Sequence, residues 1–105
     1  MYLEIITFTL KDKDQEAALM TASEQMDQFC KEQEGFAYRS LSHNPEDNLW
    51  YDVIYWETKA AWEKAETAFQ QHPVCEAFMQ AVNSESVAMQ RSDVKASLSS
   101  CEQAA

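Results

Sequence analysis

Few side chains in this 105-residue sequence can move a proton, and the chemistry open to the chain depends on which of them the fold brings together. His72 stands directly before Pro73 at the predicted end of a helix, where an imidazole that titrates near neutrality can act as a general base. The same position also suits a structural histidine that interacts with the last helical carbonyls. Arg39 and Asp52 lie on two successive predicted strands. If the hairpin between them is symmetric about Pro45-Glu46, residues whose numbers sum to ninety-one face each other, which sets Arg39 opposite Asp52 on one face. Glu4, on the neighbouring first strand, can join them. Such a cluster on an apolar sheet either orients a substrate and raises a carboxyl toward a base role, or is an ion pair that fixes hairpin register or a dimer interface. Trp62 and Phe69 on the second predicted helix can line a ligand cavity or simply pack the core. Tyr38, Tyr51 and Tyr55 on strands can donate hydrogen bonds to a quinone-like ligand, although strand aromatics are mostly packing. His43, beside the hairpin turn, reads as solvated.

The elements that position these residues follow from periodicity. Tyr2 to Leu10 is rich in β-branched and aromatic residues and closes on Lys11-Asp12-Lys13-Asp14, as a strand does. From about Asp14 the apolar residues recur at helical spacing: Leu19, Ala22 or Ser23, Met26, then Phe29 or Cys30. Gly35, the single glycine, suits the left-handed residue that closes this helix. Phe36 to His43 and Leu49 to Trp56 are two strands joined by the turn-forming Asn44-Pro45-Glu46-Asp47-Asn48. Thr58 is a plausible cap for a helix burying Ala61 or Trp62, Ala65, and Ala68 or Phe69. Pro73 interrupts it at His72, and a shorter helix, Val74 to Val82, presents Cys75, Phe78, Met79 and Val82 inward. Ser86 to Arg91 is a last, weakly patterned strand. The domain is therefore residues 1–91, and 92–105 is a polar tail or an arm ordered against a partner.

This order is the split βαβ arrangement: an α+β, ferredoxin-like βαββαβ fold with a four-stranded antiparallel sheet and helices on one face. The third strand is apolar on both faces, with Tyr51, Val53 and Tyr55 on one and Trp50, Ile54 and Trp56 on the other. Helices can cover only one of them. An isologous homodimer through the other sheet face is the simplest cover.

Composition limits the partners. A hydrophobic share of 46% fits a chain that buries a substantial core, while a formal charge of -10 opposes phosphate backbones and anionic membrane surfaces. Cys30, Cys75 and Cys101 are odd in number and widely spaced, which supports neither a disulfide framework nor a zinc site. Cys30 and Cys75 sit on apolar helix faces, and Cys101 is the one thiol expected to be exposed. The first ten residues lack the basic start and apolar run of a signal peptide, so a cytoplasmic location with reduced thiols is expected.

The run Val53-Ile54-Tyr55-Trp56-Glu57-Thr58-Lys59-Ala60-Ala61, followed by a helix, His72-Pro73 and Phe78, resembles the dimeric α+β barrel superfamily, and within it the antibiotic biosynthesis monooxygenase branch. That resemblance implies a homodimer and a monooxygenase without metal or flavin, acting on a small aromatic or polyketide-like molecule. The substrate is deprotonated in a pocket between helices and sheet, and its carbanion then reacts with dioxygen. Haem-degrading members of the superfamily carry an Asn on the first strand and an axial His after the second helix; here Ile6 or Thr7 and Met79 stand at those places. No cofactor is expected. On this reading His72, Asp52 and Arg39 are the catalytic candidates, and Trp62, Phe69, Tyr38 and Tyr55 line the pocket. The other reading is a non-catalytic dimeric small-ligand-binding or scaffold domain, consistent with strong packing signals beside no recognisable catalytic constellation.

Overall fold

Alternation along the strands decides which side chains meet the helices. In the computed structural model, which describes residues 1–98, the chain runs β1 (Tyr2–Phe8), α1 (Glu16–Lys31), β2 (Phe36–Asn44), β3 (Leu49–Trp56), α2 (Lys59–Gln70), α3 (Pro73–Ala81) and β4 (Ala88–Asp93). The sheet order is β2-β3-β1-β4 with every neighbouring pair antiparallel, the ferredoxin-like arrangement expected from the sequence. The strand β4 runs two residues past the expected domain end. Cys101 lies outside the described residues. No described helix is long and apolar enough to cross a membrane.

On β3 the even-numbered residues Trp50, Asp52, Ile54 and Trp56 are buried against the helices, and the odd-numbered Leu49, Tyr51, Val53 and Tyr55 form the opposite face. Helix α1 buries Leu19, Ala22, Ser23, Met26, Phe29 and Cys30, the stripe that its spacing predicts. Two clusters result. One gathers Phe8, Trp50 and Phe78 with α1, the rings of Phe8 and Trp50 stacked at 6.5 Å; the other sets Tyr2, Ile54 and Trp56 against Ala65 of α2.

Local chemistry fixes the element ends. Thr58 caps α2, its side-chain oxygen accepting the Ala61 N–H at 3.0 Å. Gly35 adopts φ +84°, yet α1 already ends at Lys31, so this left-handed residue turns the chain into β2 instead of closing the helix. A Cβ there would sit 2.5 Å from the Ala61 Cβ. Gly35→Ala is thus expected to lower stability by about 2–4 kcal/mol, from left-handed strain plus overpacking. Urea unfolding reads the loss, and adding Ala61→Gly should recover the clash component alone.

Three local expectations are corrected. The hairpin loop is Pro45 to Asn48, with Asn48 at φ +59° and Asn44 paired to Leu49, so Leu41 faces Asp52 and Arg39 faces Ile54. Side-chain turns stabilise this longer loop: Asn44 Oδ1 accepts the Glu46 N–H and Asp47 Oδ1 accepts the Leu49 N–H. The two-residue slip keeps the side chains from Tyr38 onward on their expected faces, while a bulge between Phe36 and Tyr38 turns Phe36 onto Trp56 in the core. His72 does not end α2, which stops at Gln70; it is the N-cap of α3. Met79 is 42% exposed, because α3 begins at Pro73 and buries Val74, Phe78 and Ala81.

Candidate functional site

The inward residues of β1 are Tyr2, Glu4, Ile6 and Phe8, and three of these four are the apolar residues a core requires. Glu4 is the exception, a carboxyl only 4% exposed. It lies at one wall of a cavity of about 60 Å³ between α2 and the sheet. Ile54 and Trp56 of β3 floor the space, Met26, Phe29 and Cys30 of α1 close one side, and Met89 of β4 stands at another. Helix α2 covers it with Trp62, Ala65, Glu66 and Phe69. The lining is almost wholly apolar, which makes the few polar atoms in it conspicuous.

Those atoms are unpartnered. Glu4 Oε2 and the indole nitrogens Trp62 Nε1 and Trp56 Nε1 are buried without a hydrogen bond. Native proteins satisfy most buried polar atoms, so an orphan acceptor and orphan donors lining one cavity need a physical account. Burial pushes the Glu4 carboxyl above the usual carboxylate range. The nearby indole N–H of Trp62 partly opposes this without meeting the geometry of a formed hydrogen bond; Glu66 and Asp52 raise it further, and Arg91 lowers it. Trp62 is held by the Tyr2 ring, 5.4 Å away between centroids, and by the Arg91 guanidinium, 4.7 Å from its own ring centre. Burial pushes the Cys30 thiol up to about 12, so it is a protonated wall residue and not a nucleophile.

Arg39 and Asp52 do come together, but beside the cavity and bound mainly to each other and to α1. Arg39 Nε and Nη2 donate to the two carboxylate oxygens of Asp52 at 3.0 and 2.9 Å. Its Nη1 donates to Asp27 Oδ1 at 2.8 Å and to the hydroxyl and carbonyl oxygens of Ser23. Both side chains of the Arg39–Asp52 pair are 3% exposed. Burial disfavours the Arg39 charge, but Asp52 and Asp27 together outweigh it and hold Arg39 above its already high range, while burial pushes the Asp52 carboxyl up against the pull of Arg39. The network pins α1 to β2 and β3, and neither Arg39 nor Asp52 lines the cavity.

The remaining sequence candidates separate. Trp62 and Phe69 line the cavity. His72 lies outside it: Nδ1 accepts the Val74 N–H at 3.1 Å, and the ring packs edge-on against Phe29 at 5.0 Å. With Nδ1 committed to the cap, its other nitrogen is the one free to hold a proton. Tyr38 and Tyr55 lie on the sheet face away from the helices, their rings 6.0 Å apart, so they are not walls of this cavity. His43 stacks on Trp50 at 4.5 Å. Among the described residues no group of three or more His, Cys, Asp or Glu could hold a metal ion. Glu4 is the residue whose place sequence reasoning underweighted. Its even number put it on the same face as Tyr2, Ile6 and Phe8, and that parity was the available signal.

No protein-family model matches the chain, and a search of curated proteins finds no match. Solved structures do match. SnoaB, a cofactor-independent oxygenase from Streptomyces nogalater, superposes with a TM-score of 0.77 at 16% identity, covering 92% of this chain and 95% of its own. A conserved protein from Methanosarcina mazei gives 0.75 at 6% identity over 90% of this chain and 94% of its own. An antibiotic biosynthesis monooxygenase gives 0.72 at 9% identity over 90% and 98%. At such identities the likeness is one of architecture, and it agrees with the β2-β3-β1-β4 order and the helices packed on one face. The chain has the ferredoxin-like fold that these solved structures share.

Proposed function

We propose that this chain is a cofactor-independent monooxygenase that takes a small aromatic or polyketide-like substrate at the cavity under α2, and that it works in the cytoplasm as a homodimer joined through the opposite sheet face. The observation that carries this reading is an apolar cavity in which a buried carboxyl and an indole N–H lack partners. The fold shared with a cofactor-independent oxygenase supports it. The reaction converts an activated ring methylene and dioxygen into a carbonyl and water. The carbon loses two hydrogens and four electrons, one oxygen atom enters the product, and the other leaves as water. Removing the first proton makes the substrate electron-rich enough to reduce dioxygen itself, so the protein's task is to bind, orient and deprotonate. Arg39, Asp52 and His72 serve this reading by holding α1, the sheet and α3 in place.

Dioxygen uptake with a panel of anthrones and hydroquinones, without added metal, tests it. The wild-type chain should consume oxygen. Ala65→Leu, which intrudes on the cavity from α2, should reduce kcat/KM by on the order of tenfold to a hundredfold, the kinetic equivalent of overpacking a binding site.

A specific observation favours a second reading. The space of about 60 Å³, open at its mouth, is well below the roughly 150 Å³ apolar cavity known to admit benzene. Without movement of α2 it holds only the reacting edge of a ring, with the remainder toward the mouth. Ligand binding with no oxygen uptake by the wild-type chain would replace the enzyme reading with a small-ligand-binding domain.

A further inference from the structure

The cavity's two inward-facing orphan groups on β1 and α2 are complementary to a ligand atom that both donates and accepts a hydrogen bond. Glu4 Oε2 is an acceptor and Trp62 Nε1 a donor, both buried, near each other, and neither in a formed hydrogen bond. An alkyl group would leave both unsatisfied. A carboxylate or phosphate would satisfy the indole but face Glu4 and Glu66 across an apolar space. A hydroxyl on an aromatic ring satisfies both, donating to the carboxylate and accepting from the indole, while its ring meets apolar walls. We propose that Glu4 is the catalytic proton acceptor of this site, taking the hydroxyl proton of a bound phenol or enol while Trp62 Nε1 holds the oxygen that becomes negative. This assignment rests on the cavity being the substrate site.

The step balances simply. The substrate O–H bond breaks, its electron pair stays on oxygen, and the proton forms an O–H bond to Glu4 Oε2. A charged carboxylate becomes a neutral acid, and the charge passes to an oxygen that is conjugated with the ring and held by an N–H donor. Burial makes Glu4 a stronger base, and the anion it produces is eased in the same apolar site by delocalisation into the ring and by the Trp62 N–H. The groups facing Glu4 are Glu66 and Trp62 from α2, Arg91 from β4, Asp52 from β3 and the Cys30 thiol from α1. Arg91 is the cation among them and favours the ionised carboxylate before the substrate arrives.

The test uses the full chain and 4-nitrophenol, whose neutral and ionised forms absorb at different wavelengths. At a pH below the probe's own ionisation, wild-type protein should bind it and show the ionised spectrum. Glu4→Gln, which keeps the shape and removes the base, should bind it with the neutral spectrum; toluene binding, read by tryptophan fluorescence, confirms that the variant cavity is intact. Trp62→Phe is an independent arm. Loss of the indole donor should reduce the ionised fraction of bound probe by on the order of tenfold, the usual contribution of a hydrogen bond to a charged group. A neutral spectrum with the wild-type chain, an ionised spectrum that persists in Glu4→Gln, or no binding by the wild-type chain would each overturn the assignment. Absent oxygen uptake with an ionised bound probe would instead remove the monooxygenase reading and leave Glu4 as the proton acceptor of a binding site.

Discussion

Arg39→Met is expected to destabilise the protein by about 3–5 kcal/mol at neutral pH, the usual cost of removing one partner of a buried ion pair. The methionine fills much of the same volume, so packing is a minor part of the loss. The larger part is the Asp52 carboxylate, 2% exposed and stripped of both its hydrogen-bond donors. The effect should depend on pH in a definite direction. Burial already pushes the Asp52 carboxyl upward, and removing Arg39 takes away the attraction that restrained it. The native variant therefore keeps a proton that the unfolded chain releases near its ordinary value of about 3.9. Its stability is fully present below that value and is lost as pH rises through the raised native one. Urea unfolding near pH 4 and pH 8 should show a deficit that shrinks on acidification. The double variant Arg39→Met/Asp52→Leu should recover most of the loss, because an apolar replacement of the whole pair carries no stranded charge. Asp27, more than half exposed, should matter far less. A deficit below about 1 kcal/mol, or one that does not vary with pH, would mean that the pair holds nothing in place.

This ion pair also shows what sequence reasoning can reach. Side-chain parity is a period-two property, so Arg39 and Asp52 were placed on one face although the pairing register was off by two residues. Their contact survives because long side chains also meet along the strand diagonal. The stripe of α1 and the Thr58 cap were legible for the same reason: both are local patterns. The failures have non-local causes. Parity groups Tyr51, Val53 and Tyr55 but does not say which group meets the helices, and so it cannot tell that Tyr38 and Tyr55 lie on the side of the sheet away from the cavity. A residue before proline can equally end one helix or cap the next, and His72 does the latter through a turn visible only in three dimensions. Glu4 was hardest to weigh. The groups that define its chemistry, Trp62, Glu66 and Arg91, arrive from α2 and β4 far along the chain. The strand's own sequence shows an isolated charge without showing what surrounds it.

Val53→Asp is expected to weaken the proposed dimer by at least about a thousandfold, roughly 4 kcal/mol. Val53 pairs with Ile5 on one side and Ser40 on the other, which places it near the middle of the face that the helices leave uncovered. Leu3 and Ile5 of β1, Tyr51 and Tyr55 of β3 and Tyr38 of β2 surround it, an apolar surface of the kind that soluble monomers rarely leave in water. A two-fold axis sets this patch against its own copy, so one substitution brings two carboxylates into one interface, each losing water and each repelling the other. Sedimentation at several concentrations should find the wild-type chain dimeric and the variant monomeric at micromolar protein. Far-ultraviolet circular dichroism should change little, because Val53 lies on the face opposite the helix-covered core. A wild-type monomer at those concentrations would remove the dimer. The consequence should also reach the cavity. Ile5 belongs to the interface face of β1 while its neighbours Glu4 and Ile6 line the cavity, so one strand is held from both sides. Losing the partner loosens the strand that aims Glu4, and turnover should fall in the monomeric variant even though no cavity residue has changed.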